Sequence, residues 1–218
     1  MSRSLGFSSA KALNYAARIH LTGGRFLHNE NRKRVRAEVR FAGFGGQGII
    51  SAGKIAGRAA SIYGGKNAVM MQSYGPEARG GACNADLVVS DAVIGYPQLS
   101  QPSILVIMSQ EAYEKYGQNI EPDGTMIVDE DLVEFDEMPP KVSNVYSIPA
   151  TRMADGLGRK IVANVVMLGA LAAITEITTR DAMLDAILNS VPPRTKELNE
   201  SAFVAGYDRG KEALGEHT

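Results

Sequence analysis

The chain has 218 residues, enough for one α/β domain with a buried core and short appendages. Its composition, with 44% hydrophobic and 22% charged residues and a net charge of −1, is ordinary for a globular protein. No segment reaches the roughly 20 consecutive apolar residues of a membrane-spanning helix. The single cysteine, Cys83, excludes an intrachain disulfide and a four-thiolate iron–sulfur cluster, and the three histidines lack ligand-like spacing. We therefore expect neither a membrane-spanning segment nor a metal site.

The first 36 residues differ in charge from the rest of the chain. They contain eight basic residues against one acidic residue, Glu30, so the remainder is net acidic. This stretch could be a presequence, an arm that docks on an acidic partner or nucleic acid, or an extension without a specific role, which is the interpretation we favour. Stacking aromatic residues are nearly absent there, which argues against binding of single-stranded nucleic acid. We predict a basic extension over residues 1–36, which could be flexible, and a folded domain over residues 37–218.

The folded body begins with a strand predicted over residues 37–42, a glycine-rich turn, and a helix over residues 49–63 with small apolar residues at helical spacing. Gly64-Gly65 is expected to end this helix, and residues 67–71 to form a second strand. Further strands are predicted over residues 85–89, 104–108, 125–128 and 144–147, and helices over residues 109–116, 151–154, 160–176, 180–189 and 195–213. This order predicts a Rossmann-like α/β fold with a mostly parallel sheet, helices on both faces and a helical C-terminal third.

The turn after the first strand has the pattern Gly-x-Gly-x-x-Gly, which brings free backbone amides to a phosphate when a strand precedes it and a helix follows. A dinucleotide site also needs an acidic residue about 20 positions further on, and Met70, Met71 and Gln72 stand there instead. We therefore disfavour NAD binding. Two interpretations remain: a loop that faces a phosphate, coenzyme A or a partner, and glycines that only allow close packing of helix and sheet. The candidate residues are Gly43, Gly45, Gly46, Gln47 and Gly48.

A second candidate segment, residues 72–81 with the sequence QSYGPEARGG, follows the second predicted strand. Open α/β sheets bind ligands at the carboxyl ends of their strands, so this polar segment is well placed for a site. Arg79 offers a planar, permanent cation suited to a carboxylate or phosphate, although Glu77 could simply pair with it across a turn. The candidate residues are Tyr74, Glu77, Arg79, Gly80 and Gly81.

A complete catalytic site is missing from the sequence. No serine has a histidine plausibly paired with it, and no GxxxxGK[ST] phosphate loop occurs. Cys83, at the edge of an apolar run, is interpreted as a small buried residue. Asn164 and Asn199, within predicted helices, are expected to tie down loops by hydrogen bonds. We predict no catalytic residue in this chain and expect it to be one component of a larger enzyme.

Several blocks of the sequence resemble the γ subunits of 2-oxoacid:ferredoxin oxidoreductases, over about residues 37–211. The QSYGPEARGG block is similar to that of the 2-oxoglutarate type, whereas pyruvate-type chains tend toward ERRG, and here Ala78 takes the place of the first arginine. The basic extension has no counterpart in this pattern. The other matching blocks are GFGGQG with the GIISAGKIAGRAA that overlaps its last glycine, Tyr96-Pro97, residues 109–113, residues 148–150 and Asn164-x-x-Met167-Leu168-Gly169-Ala170.

The resemblance implies a complete cytoplasmic enzyme that converts 2-oxoglutarate, coenzyme A and oxidised ferredoxin to succinyl-CoA, carbon dioxide and reduced ferredoxin. It implies that α and β catalytic subunits hold thiamine diphosphate and Mg²⁺, that iron–sulfur clusters lie in β and in a ferredoxin-like δ subunit, and that this chain alone binds no cofactor. The γ domain would supply structure and part of the active-site entrance, without nucleic acid or membrane partners. The alternatives are a purely structural assembly subunit and an NAD-type Rossmann protein.

Overall fold

A computed structural model describes residues 36–73, 82–135, 142 and 144–216 of the chain. In this part of the chain, six strands form one sheet in the order β2-β3-β1-β4-β5-β6. The strands are β1 (Arg36–Phe44), β2 (Asn67–Ser73), β3 (Ala82–Ser90), β4 (Ile104–Ile107), β5 (Thr125–Asp129) and β6 (Asn144–Ile148). The helices are α1 (Ile49–Arg58), α2 (Gln110–Tyr116), α3 (Ala150–Gly156), α4 (Ala163–Ile174), α5 (Arg180–Leu188) and α6 (Lys196–Glu216).

The sheet is mostly parallel, with one reversed strand. β1 pairs in parallel with β4, β4 with β5, and β5 with β6, whereas β3 pairs antiparallel with both β1 and β2. The Rossmann-like α/β fold predicted from the sequence is therefore confirmed, and the reversed β3 between β1 and β2 is an addition to it. The reversal has a simple cause: residues 74–81 are too few for the crossover of about a dozen residues that a parallel connection needs.

A buried ion pair ties β3 to β1. Across this pairing the Arg40 Nε and Nη2 atoms donate hydrogen bonds to the two carboxylate oxygens of Asp86, at 2.8 and 2.7 Å. Arg40 is 7% exposed, and the hydrogen bond to Asp86 raises the pKa of the Arg40 guanidinium. Asn84 donates to Asp86 Oδ1 at 2.9 Å, and the Tyr116 hydroxyl on α2 donates to the Asn84 side-chain oxygen at 3.1 Å. The pairing of β1 with β3 is thus held by a polar network and not by backbone bonds alone.

Helices cover both faces of the sheet. Val39 and Phe41 of β1 pack in one cluster with α1, α4, α5 and α6, whereas Leu105 and Ile107 of β4 pack in a second cluster with α2. The chain therefore leaves the neighbouring strands β1 and β4 toward opposite faces. In open α/β sheets this arrangement opens a crevice at the carboxyl ends of the two strands.

The predicted helices are confirmed in type, with shifted ends. α1 ends in a π-helical turn, Ala59–Tyr63, and Ser109 caps α2 by accepting a hydrogen bond from the Ala112 amide at 3.3 Å. The helix predicted over residues 160–176 consists of a 3₁₀ turn, Lys160–Val162, followed by α4. The longest described helix, α6, has 21 residues, but neither it nor any other described helix is apolar enough to cross a membrane.

The predicted basic extension, residues 1–36, lies outside the described residues except for Arg36, the first residue of β1. The boundary between an extension and a folded domain at this position therefore stays a prediction.

Helices α4 and α6 approach each other through glycines. A β-carbon at Gly206 would overlap the carbonyl group of Val166, and one at Gly210 would lie 2.9 Å from the Ala170 Cα. Gly169 on α4 faces the backbone of α6 in the same way. Because the two backbones are in direct contact, the position of α4 along α6 and the crossing angle of the two helices are fixed. The first turn of α4 lies beside the loop that follows β1.

We expect Gly206→Ala to destabilise the protein by about 1–3 kcal/mol, because the added methyl group must push α4 and α6 apart. The measurement is the free energy of urea unfolding of the full chain. Gly215→Ala in the same helix is the matched control, since a β-carbon there meets no atom within 4 Å. A Gly206→Ala protein as stable as the control would contradict the close helix crossing.

Candidate functional site

The glycine loop, residues 43–48, connects β1 to α1. Gly46 (φ 105°) and Gly48 (φ 80°) have left-handed backbone conformations, which favour glycine. A β-carbon at Gly43 would lie 2.6 Å from both Gln47 Oε1 and Ile49 Cδ1. The backbone conformation of the loop therefore requires Gly46 and Gly48, and close contact with Gln47 and Ile49 requires Gly43. The choice between the two interpretations of the loop stays a prediction.

Gly45 differs from its neighbours. Its φ is outside the left-handed region, and a β-carbon there would meet no heavy atom of the described residues within 4 Å. Neither conformation nor packing within the described residues calls for glycine at this position. The open space above Gly45 is where another molecule could approach the loop backbone.

The Gln47 side chain joins the loop to the neighbouring strand. Its Oε1 atom accepts a hydrogen bond from the Phe44 amide at 2.6 Å, and its Nε2 atom donates to the Met108 carbonyl at 2.6 Å. Met108 directly follows β4, and its own amide donates to the Ala42 carbonyl in β1 at 2.9 Å. Gln47 therefore bridges the crevice between β1 and β4 and holds the loop in one conformation.

Asn164, in the first turn of α4, holds the other end of the loop. This buried side chain donates from Nδ2 to the Gly48 carbonyl at 3.2 Å, and the same carbonyl accepts from the Ala52 amide of α1 at 2.8 Å. The prediction that Asn164 ties down a loop is confirmed. Asn199 donates to the Thr195 carbonyl at 2.7 Å and so stabilises the start of its own helix.

A pocket of about 290 Å³ opens beside the glycine loop at the carboxyl ends of the strands. Gly46 and Gln47 form one side together with Met108, which follows β4, and the other walls come from residues that follow β5 and β6 or lie at the start of α4 and just before it. Of these, Leu132 and Ile161 are partly exposed, as is Phe44 in the loop, at 37%, 61% and 43%. The sequence analysis missed these walls, whose only sequence signal is that some of them follow buried strands. They are Leu132, Thr151, Lys160, Ile161 and Ala163.

In the second candidate segment, residues 74–81 lie outside the described residues, and with them the candidates Tyr74, Glu77, Arg79, Gly80 and Gly81. The two residues that flank residues 74–81 are described. Ser73 pairs with Asn84 at the end of β2, and Ala82 pairs with Phe44 at the end of β1. The ends of the segment therefore lie at the same edge of the sheet as the glycine loop, and the placement of its five candidate residues stays a prediction.

The reversed strand also bears on the NAD alternative. In dinucleotide-binding folds, an acidic residue at the end of the strand beside β1 holds the ribose. Here β3 takes that place in the opposite direction and presents Ala82 next to Phe44. Met71 and Gln72, near the end of β2, lie one strand further away. Neither position offers a carboxylate.

Asp129, the last residue of β5, is fully buried near the pocket. Its Oδ2 atom accepts a hydrogen bond from the Thr151 hydroxyl at 2.6 Å, and Oδ1 accepts from the Thr151 and Asp131 amides at 3.3 Å each. Burial raises the pKa of the Asp129 carboxyl, although these hydrogen bonds oppose the shift. Because Thr151 lines the pocket in the first turn of α3, Asp129 fixes one pocket wall.

We expect the raised pKa of Asp129 to make stability depend on pH. The folded protein binds the Asp129 proton more tightly than the unfolded chain, so ionisation lowers stability as pH rises from the ordinary carboxyl pKa of about 4 through the higher folded value. Urea unfolding of the wild type and of Asp129→Asn should show the wild type losing stability relative to the variant over this range. If the unfolding free energy of the wild type minus that of Asp129→Asn stays constant or increases with pH, the result would contradict the raised pKa of Asp129.

Comparison with known proteins identifies the class of protein. The family model for pyruvate ferredoxin/flavodoxin oxidoreductases matches residues 38–209. The chain belongs to this family.

The particular relatives are single subunits of 2-oxoacid oxidoreductases. The 2-oxoglutarate synthase subunit KorC of Methanocaldococcus jannaschii is 51% identical over 185 residues, which cover 84% of this chain and 99% of KorC. The pyruvate synthase subunit PorC of the same organism is 30% identical over 175 residues, covering 78% of this chain and 95% of PorC. The crystal structure of a keto/oxoacid ferredoxin oxidoreductase γ subunit from Geobacter sulfurreducens matches 82% of this chain and 98% of that one, with 40% identity and a TM-score of 0.75. The predicted resemblance to γ subunits of 2-oxoacid:ferredoxin oxidoreductases is confirmed.

Proposed function

We propose that this chain is the γ subunit of a 2-oxoglutarate:ferredoxin oxidoreductase, which forms succinyl-CoA, carbon dioxide and reduced ferredoxin. The observation that carries the proposal is the match to KorC over 99% of its length at 51% identity, against 30% for PorC of the same organism. The preference for 2-oxoglutarate over pyruvate rests on this difference and on Ala78 in the QSYGPEARGG block.

In this proposal the reacting groups belong to partner subunits. The α and β subunits hold thiamine diphosphate and Mg²⁺, the clusters lie in β and in a ferredoxin-like δ subunit, and the complex works in the cytoplasm, where coenzyme A and ferredoxin are available. The residues of this chain agree with that division. One cysteine cannot supply the four thiolates of an iron–sulfur cluster.

The chain itself supplies structure and part of the active-site entrance, at the edge that carries the glycine loop. Three observations support this role. The described residues leave open space above Gly45, and the apolar side chains of Phe44, Leu132 and Ile161 are partly exposed. In addition, Ser73 and Ala82, which flank the segment that contains Arg79, lie at the same edge of the sheet as the loop. Exposed apolar side chains favour contact with a partner protein, and backbone amides with a guanidinium favour contact with coenzyme A or a 2-oxoacid.

The proposed function is tested by expressing α, β and δ subunits from the same organism with and without this chain. We expect that omission abolishes assembly or activity, and that the complete complex prefers 2-oxoglutarate over pyruvate by at least about tenfold in kcat/KM. Full activity without the chain would contradict the subunit assignment, and a preference for pyruvate would contradict the substrate.

The role of the loop edge is tested by Gly45→Ala and Arg79→Ala in the assembled complex. Gly45→Ala should leave the stability of the chain unchanged within about 0.5 kcal/mol, since its methyl group enters open space. We expect the KM for coenzyme A to rise in both variants, by about tenfold for Arg79→Ala through loss of charge-assisted hydrogen bonds.

Gly95→Ala is the matched control, because its β-carbon also meets no atom within 4 Å. Weaker assembly with unchanged KM values for both substrates would favour the alternative of a purely structural subunit. Binding of NAD to the isolated chain in equilibrium dialysis would favour the dinucleotide alternative.

A further inference from the structure

A second pocket, of about 530 Å³, lies at the other end of the strands from the glycine loop. Gly64 and Lys66 line it immediately before the start of β2, whereas the glycine loop follows the end of β1. β1 and β2 run in the same direction, because both pair antiparallel with β3. The remaining walls come from the end of α4, the start of α5 and the last part of α6, so this pocket is separate from the proposed active-site entrance.

At one side of this pocket, the Lys66 side chain lies at the C-terminal end of α4. The Lys66 ammonium donates hydrogen bonds to the carbonyls of Glu176 and Ile177, which follow α4, at 3.2 Å each. A cation at this position compensates the negative end of α4. Lys66 is therefore bound by the protein, and the charges left in the pocket wall are the exposed carboxylate of Glu176 and the two cations Arg180 and Lys211.

Two further cations in the pocket have little compensation. The Arg180 guanidinium and the Lys211 ammonium lie 5.4 and 5.8 Å from the centre of the same Tyr207 ring. Arg180 contacts the carboxylate of Asp181 at 3.5 Å, but that side chain is 89% exposed, and such a pair contributes little. Lys211 forms no ion pair with another described side chain. Two like charges beside one ring make the pocket attractive to an anion.

The start of α5 adds hydrogen-bond donors to the same place. Thr179 accepts from the Ala182 amide through its hydroxyl at 3.2 Å and from the Met183 amide through its carbonyl at 3.1 Å. The amides of Arg180 and Asp181, in the first turn, have no partner within the helix and lie at its positive end. Helix starts of this kind bind phosphate.

Thr178 is a further polar residue in the wall of this pocket. It lines the pocket, is 8% exposed, and its Oγ1 atom is the one buried side-chain nitrogen or oxygen without a hydrogen-bond partner among the described residues. Buried hydroxyl groups are normally paired, and an unpaired one calls for an explanation. Because this oxygen is buried, it reaches an anion in the pocket only after a change of the Thr178 rotamer, and the Thr178→Val variant below tests whether that happens.

We propose that this pocket binds a small organic phosphate. The phosphate group lies between Arg180, Lys211 and the start of α5, and the apolar part of the ligand covers Ile174 and Leu214. The apolar wall is the reason for an organic ligand, because inorganic phosphate alone would leave it uncovered. This proposal does not depend on the function proposed for the glycine loop.

The proposal is tested by calorimetric titration of the full chain with phenyl phosphate and with inorganic phosphate, at low salt in a phosphate-free buffer. We expect both to bind and phenyl phosphate to bind more tightly. Arg180→Gln and Lys211→Gln should each weaken binding by about tenfold or more, since each removes a charged donor to the phosphate. Thr178→Val, which keeps the side-chain shape, should weaken binding while leaving the circular dichroism spectrum unchanged.

Lys54→Gln and Arg58→Gln are the matched controls, because they remove the same charges from the exposed side of α1 and should leave affinity unchanged. Absence of binding by the wild-type chain at millimolar ligand would overturn the proposal. A loss of affinity in the controls as large as in the pocket variants would also overturn it, since the anion would then respond only to net charge. Equal affinity for the two ligands would refute the organic part of the assignment.

Discussion

The antiparallel pairing of β3 with β1 is the constraint on which the rest of this structure depends. Arg40 and Asp86 face each other across it with both side chains largely buried, and removing either would leave an uncompensated buried charge. The register that this pair accompanies places Ala82 beside Phe44. This register brings Ser73 and Ala82, the residues on either side of residues 74–81, to the edge of the sheet that carries the glycine loop.

The glycine loop is held from two directions by uncharged side chains. Gln47 joins it to the end of β4, and Asn164 joins it to α4, whose position is set by the glycine contacts with α6. Rigidity is thus built into a loop that has no reacting group of its own. Such a fold suits a subunit that shapes a site for chemistry performed by its partners, and the organic-phosphate pocket at the other end of the strands would give the same subunit a separate small-molecule site.

Much of the fold could be predicted from local patterns, because short apolar runs, helical spacing and turn residues act over a few positions. The serine cap at Ser109 and the helix end at Gly64-Gly65 followed in this way. The tethering role of Asn164 was predicted from its residue type alone, because its partner Gly48 lies 116 positions away in the sequence. The reversed β3 was missed because strand direction depends on the length of a connection and on which neighbour a strand finds. The pocket walls at Leu132, Thr151 and Ile161 were missed because they are distant in sequence and meet only at the carboxyl edge of the sheet.

The sequence by itself indicated the class of this protein, because its GFGGQG and QSYGPEARGG blocks resemble those of γ subunits of 2-oxoacid:ferredoxin oxidoreductases. Only the tertiary structure decided which glycines serve the fold and which one is open to another molecule. It also decided that the Thr178 hydroxyl has no hydrogen-bond partner among the described residues, while Arg180 and Lys211 lie beside the same aromatic ring. These properties depend on distances between residues far apart in the chain, and such distances exist only after folding.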